Sequence, residues 1–186
     1  MKEEAGLSHD FSTAHTNSSS LLGGPATLTV DDLAQMAQTN SEDVREFWVA
    51  MGFPSPRAEE KVFTENDARL FVEWSKFIAS GAIDQATARS LLRANSHLAD
   101  RLGLWQVEAL VEDTMRRYGL DDTAARMYVL DHIRERVDMF DKLLRHSWRR
   151  QLDALLKRMD HEIATRGHEG LQPRFPLNRS LGFVDM

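Results

Sequence analysis

Seven histidines are the side chains in this sequence best suited to proton chemistry near neutral pH: His9, His15, His97, His132, His146, His161 and His168. None forms a His-x3-His pair and no His-Glu-x2-His run occurs, so the spacing that lets one helix face hold zinc is missing. The chain has no cysteine, which excludes disulfides, thiolate-bound zinc and thiol catalysis. No glycine-rich phosphate loop, nucleophile motif or paired-carboxylate arrangement stands out. The chemistry that remains is charge switching. His146 follows Arg145 and precedes Arg149 and Arg150 by three and four residues, and His161 lies between Asp160 and Glu162. His146 and His161 are therefore the expected pH-responsive positions. His97, one turn before Asp100, reads as a local surface pair.

The element that must carry both switch candidates is the most regular part of the chain. Its apolar residues are Met127, Leu130, Ile133, Val137, Phe140, Leu144, Trp148, Leu152, Leu155, Met159 and Ile163, stepping by three or four throughout. A helix over Asp138 to Ile163 spans about 39 Å at 1.5 Å per residue. One stripe of that length exceeds what a small monomer covers, and it predicts a homodimer joined through Phe140, Leu144, Trp148, Leu152, Leu155 and Met159. Lys142, Arg145, Arg149, Arg150, Lys157 and Arg158 alternate along it with Asp138, Asp141, Asp153 and Asp160, the pattern of a solvated, salt-bridged face.

The rest of the chain supports an all-α, multi-helix fold. Of 186 residues, 42% are apolar and 28% charged, ordinary for a chain that buries a core. The formal charge is −6, which argues against general binding to nucleic acid. No apolar run approaches the roughly 20 residues of a transmembrane helix. Lys2, Glu3 and Glu4 open the chain without the apolar core of a signal peptide, so a cytoplasmic protein is expected. Residues 1–27, rich in Ser, Thr and Gly, read as a disordered arm. A helical body follows over 28–166. Thr29 with Asp32 and Thr64 with Asp67 mark capping boxes, and Ser41, Asp84 and Ser96 mark further helix starts. The predicted inward residues are Leu33, Met36 and Ala37, then Val44, Phe47, Trp48 and Met51, then Leu70, Phe71, Trp74, Phe77 and Ile78. Gly52 and Gly81 stop helices, and Tyr118-Gly119-Leu120 reads as a Schellman ending. Gly167, Gly170, Pro173 and Pro176 make a linker over 167–180, and 181–186 reads as a strand that has been cut off.

The segment from Thr29 to Trp74 has the outline of a helix-turn-helix. The order Leu28-Thr29-Val30-Asp31-Asp32-Leu33-Ala34, then Ser41 to Trp48, then Met51-Gly52-Phe53-Pro54 resembles the DNA-binding head of the MerR family of transcription regulators. That resemblance implies DNA binding as an alternative function. The contact chemistry argues against it: the recognition position opens with Glu42 and Asp43, adds Glu46, and offers Arg45 as its cation, where phosphates require Arg and Lys.

The ending, Arg179 to Met186, resembles the first strand of a class III adenylate cyclase catalytic domain, with Phe183, Asp185 and Met186 matching the first half of that motif. The body over 28–166 is similar to the helical N-terminal regulatory domain ahead of actinobacterial class III cyclases. The shared features are the helix-turn-helix-like start, Phe77-Ile78-Ala79-Ser80-Gly81 followed by Asp84-Gln85, the turn at Ser96-His97-Leu98-Ala99, and the long helix before the catalytic strand. The resemblance implies a dimeric regulatory module, pH-responsive, that controls its own C-terminal cyclase domain, which makes cAMP from ATP in signal transduction. It implies that Asp185 is one of two carboxylates holding Mg or Mn in the whole enzyme. The remaining catalytic residues would lie beyond Met186, so no catalytic residue and no cofactor is expected here and ATP turnover is not. A fatty acid held in an apolar helical interior is a further expectation.

Overall fold

The structure, a computed structural model, describes residues 18–166. His9, His15, His168, Asp185 and the expected linker and strand over 167–186 lie outside the described residues. The principal helices are α1 (Val30–Ala37), α2 (Ser41–Ala50), α3 (Glu65–Ala79), α4 (Gln85–Tyr118), α5 (Asp122–His132) and α6 (Arg134–Arg166). The all-α reading holds. The extended pairing among the described residues is a single antiparallel bridge between Leu28 and Phe63. Thr27 and Leu28 both donate N–H to the Phe63 carbonyl at 3.0 Å.

Helices begin where their capping chemistry predicts. Thr29 Oγ1 accepts the Asp32 N–H at 3.3 Å, and the Asp32 carboxylate accepts the Thr29 N–H at 2.8 Å. Thr64 and Asp67 repeat the box at 3.2 and 2.7 Å. Asp84 Oδ1 accepts the Thr87 N–H at 2.7 Å. For α2 the cap is Asn40, one residue earlier than expected, with Oδ1 accepting the Asp43 N–H at 2.9 Å. Ser41 is helical instead, and its hydroxyl donates to Asp31 Oδ1 at 2.6 Å, tying α2 to α1.

These caps set an acid limit on stability. Hydrogen bonds from Thr29 hold the Asp32 carboxyl below its ordinary value, and those from Thr87 do the same for Asp84. A carboxyl depressed in the folded state contributes stability above its unfolded value and loses it as pH falls through the folded one. Asp32→Asn therefore melts earlier than the natural sequence at pH 6, and the gap narrows as pH falls below the ordinary carboxylate range, where the unfolded chain takes up the proton first. Thermal melts across a descending pH series check this, and a gap independent of pH would overturn it.

Two expected boundaries move. Ser96 does not start a helix: α4 runs unbroken from Gln85 to Tyr118, because nothing near Ser96 breaks the backbone ladder. The Ser96 hydroxyl instead donates to the Met51 carbonyl and ties the middle of α4 to the end of α2. At the far end, Gly119 takes φ +64° and its N–H bonds the Met115 carbonyl at 2.9 Å, the simpler left-handed stop rather than the Schellman pattern. Residues 18–27, expected within the arm, start with a helical turn, and Leu22 accepts a hydrogen bond from Asn66 Nδ2 at 2.8 Å. Gly23, at φ +75°, lies so close to the Asn66 amide that a Cβ would collide with it.

The described residues divide into two units, 18–137 and 138–166. In the first, Val30, Leu33, Val44, Phe47, Phe63, Ala68 and Phe71 form one buried cluster. Met36, Leu70 and Phe77, expected inward, are exposed. The buried arc of α1 is Val30, Leu33 and Ala34, and that of α3 follows Ala68 and Phe71, so Leu70 and Phe77 share the other face. A second cluster joins Val111 of α4 to Ala125 and Val129 of α5. In the second unit the described residues, 138–166, are the greater part of α6.

Candidate functional site

α2, the helix that the sequence resemblance would make a recognition helix, has its charges engaged. Arg45 lies 3.8 Å from Glu42, and Arg89 of α4 reaches Glu46 at 3.4 Å. Asp43 carries the Asn40 cap and also accepts from the Thr39 hydroxyl. Behind this rim a cleft of about 190 Å³ opens between α2, α3 and the start of α4, floored by Phe47, Phe71, Trp74, Ile78 and Leu92. Its volume is below the roughly 300–1,000 Å³ of ordinary ligand sites. The sequence pattern could not show this cleft, since its walls come from three helices brought together by the core.

A second constellation sits where α5 passes into α6. The Arg136 N–H bonds the Ile133 carbonyl at 3.0 Å, one residue short of the regular partner. The His132 carbonyl is taken instead by the Arg136 guanidinium at 2.8 Å. A side chain has thus entered the backbone ladder, which is why the expected unbroken stripe from Met127 to Ile163 is divided between two helices at Ile133. The His132 ring stacks on Tyr128 at 4.1 Å between centroids, and its Nδ1 lies 2.8 Å from the Tyr128 carbonyl. That carbonyl can only accept, so Nδ1 carries a proton. Tyr128 and Tyr118 hydroxyls stand 3.4 Å apart, and this contact raises the Tyr118 phenol above its ordinary value. Beside them Arg126 bridges Glu108 at 2.8 Å and Asp122 at 2.9 Å, which keeps Glu108 below the ordinary carboxylate range. His132 was not among the expected switch residues, although Tyr128 and Arg136 lie one helical turn to either side of it in the sequence.

Along α6 the predicted stripe is present and largely uncovered. Leu144, Trp148, Leu152 and Met159 are exposed, Trp148 by 60%, while Phe140 and Leu155 are half-buried. Met139, Leu143 and Leu156, absent from the predicted set, are exposed as well and widen the apolar face. His146 and His161 are both exposed. At 100° per residue both fall on the side opposite the stripe, His146 midway between Leu144 and Trp148 and His161 midway between Met159 and Ile163. Arg145 pairs with Asp141 at 2.5 Å and Lys157 with Asp153 at 2.9 Å, as expected of a salt-bridged face. Among the described residues no group of three or more metal-ligating side chains converges, and no helix is long and apolar enough to cross a membrane.

No family model matches the chain. It is 33% identical over 174 residues to a protein named adenylate cyclase from Glutamicibacter nicotianae, a match covering 89% of this chain and 43% of that protein. It is 26% identical over 136 residues to another of that name from Streptomyces coelicolor, covering 72% of this chain and 35% of that protein. Homologues named adenylate cyclase therefore cover most of this chain, and the chain spans less than half the length of either.

Proposed function

We propose that this chain, homologous over most of its length to proteins named adenylate cyclase, is a regulatory and dimerisation module for a class III cyclase catalytic domain making cAMP from ATP. The observation that carries the reading is the uncovered apolar stripe on the 33-residue helix α6. Each large side chain on it gains about 1.5–3 kcal/mol when covered, which favours a partner helix over water. The catalytic site implied by the resemblance forms between two chains, so a module that pairs two copies sets how those halves meet. In the whole enzyme Asp185 would help hold Mg or Mn; it lies outside the described residues.

The input signal is the finer part of the proposal. His146 and His161 can change the charge of α6 near neutral pH. His132, at the end of α5, adds a position just before that helix, its ring stacked on Tyr128 and its carbonyl held by Arg136. In an enzyme joining this chain to its catalytic domain, activity should differ from that of the catalytic domain alone by about 5–150-fold, the usual range of coupling energies. Replacing His146 and His161 together by alanine should displace the activity–pH curve, with His132→Ala as a separate arm. Curves that superimpose in both arms would remove pH from the mechanism while leaving the module itself intact.

A bound fatty acid remains part of the proposal, although the cleft beneath α2 accommodates only a portion of such a chain. Mass spectrometry of an organic extract tests it. The transcription-regulator alternative is disfavoured by Glu42 and Asp43 at the head of α2 and by the engagement of Arg45 with Glu42. A shifted DNA band at low salt would reinstate it.

A further inference from the structure

We propose that α6 pairs with α6 of a second copy in the antiparallel sense, with Trp148 packed against the second copy's Leu155. This rests on the dimer reading above and adds to it the direction and register of the contact. The first observation is that the stripe reads almost alike from both ends. From Phe140 it steps by four to Leu144, Trp148 and Leu152; from Ile163 it steps by four to Met159 and Leu155, then by three to Leu152. Turned end for end about the point between Gln151 and Leu152, Phe140 meets Ile163, Leu144 meets Met159 and Trp148 meets Leu155. Each of these three layers is apolar on both sides, and the central one sets Leu152 against the second copy's Gln151.

Size decides between the two directions. A parallel, in-register pair would stack Trp148 on Trp148 and Phe140 on Phe140, leaving the layers at Leu144 and Leu152 comparatively thin. The antiparallel pair sets each large ring against a smaller aliphatic chain, which fills successive layers evenly.

Charge points the same way. In the antiparallel pair, flanks on the same side of the stripe meet. Arg145 then faces the second copy's Asp160, and Arg149 faces Asp153, each contact occurring twice by symmetry. The present partners of Arg145 and Asp153 are exposed neighbours one turn away, and such pairs exchange at little cost.

The absence of cysteine from the sequence makes the test direct, because each introduced thiol is unique. Gln151→Cys, Leu144→Cys and Met159→Cys are made singly in the full chain and oxidised mildly, after light scattering has fixed the oligomeric state. Antiparallel pairing predicts disulfide dimers from Gln151→Cys alone and from the mixture of Leu144→Cys with Met159→Cys, but little from either of those two by itself. A disulfide needs Cα atoms within about 7 Å, and the two copies of residue 144 would stand about 22 Å apart at 1.5 Å per residue. Spin labels at Asp138→Cys supply a second measure, expected at about 40 Å in the antiparallel pair and below about 20 Å in the parallel one. A dimer in which Leu144→Cys and Met159→Cys each link to themselves would overturn the direction and keep the dimer. A dimer linking at none of the positions would overturn the α6 contact. A monomer by light scattering would overturn the dimer reading itself.

Discussion

Phe63→Ala should lower the stability of the first unit by about 3–5 kcal/mol, the usual cost of deleting a buried aromatic ring. Phe63 is fully buried, and its ring meets Trp48 edge-on at 4.7 Å. Its backbone forms the bridge to Leu28 and so ties the entry of α1 to that of α3. It also stands just before the Thr64 cap and three residues after that cap lies Asp67, with buried Ala68 next, the arrangement in which a residue ahead of a helix packs on its first turn. One substitution therefore removes core volume, an aromatic contact and the anchor of two helix starts. Against a typical total of about 5–15 kcal/mol the loss is large. Phe63→Leu should cost less, since it keeps the apolar contact and most of the volume. Urea unfolding followed by circular dichroism measures both; a loss below about 1 kcal/mol for Phe63→Ala would contradict the packing role given to it.

What the sequence made legible was mostly local. The caps at Thr29, Thr64 and Asp84 are spelled in three or four consecutive residues, and the structure realises them. Ser96 looked like another cap because serine serves helix starts and helix interiors alike; only the approach of Met51, 45 residues earlier, decides which. The division at Ile133 was hidden for a related reason. Periodicity continues through it, and the interruption comes from one guanidinium reaching a carbonyl. The site followed the same rule. The stripe on α6 is periodic and legible, and the Tyr128–His132 stack lies at i, i+4 on one helix, whereas the cleft under α2 depends on walls contributed by distant segments. His146 and His161 were selected for charged neighbours in sequence, which is the information a single helix carries.

The second large effect concerns that stripe. Trp148→Asp with Leu155→Asp should convert a dimer formed through α6 into a monomer, raising its dissociation constant by at least about 1,000-fold. Each copy loses two large apolar contacts worth about 1.5–3 kcal/mol apiece, and a tenfold change in affinity corresponds to about 1.4 kcal/mol. The same pair should leave the isolated chain almost as stable as before. Trp148 is exposed and Leu155 only half-buried, so neither aspartate enters the core described by Phe63 and its neighbours. That separation between a collapsed association and an unchanged melting curve is what distinguishes an interface from a fold. Analytical ultracentrifugation across a dilution series, paired with thermal melts, measures both sides. Association unaffected by the double aspartate would place any dimer contact elsewhere. A loss of melting temperature that persists at dilutions where the natural chain is itself monomeric would show that the stripe is covered by the chain's own body, leaving the second copy unnecessary.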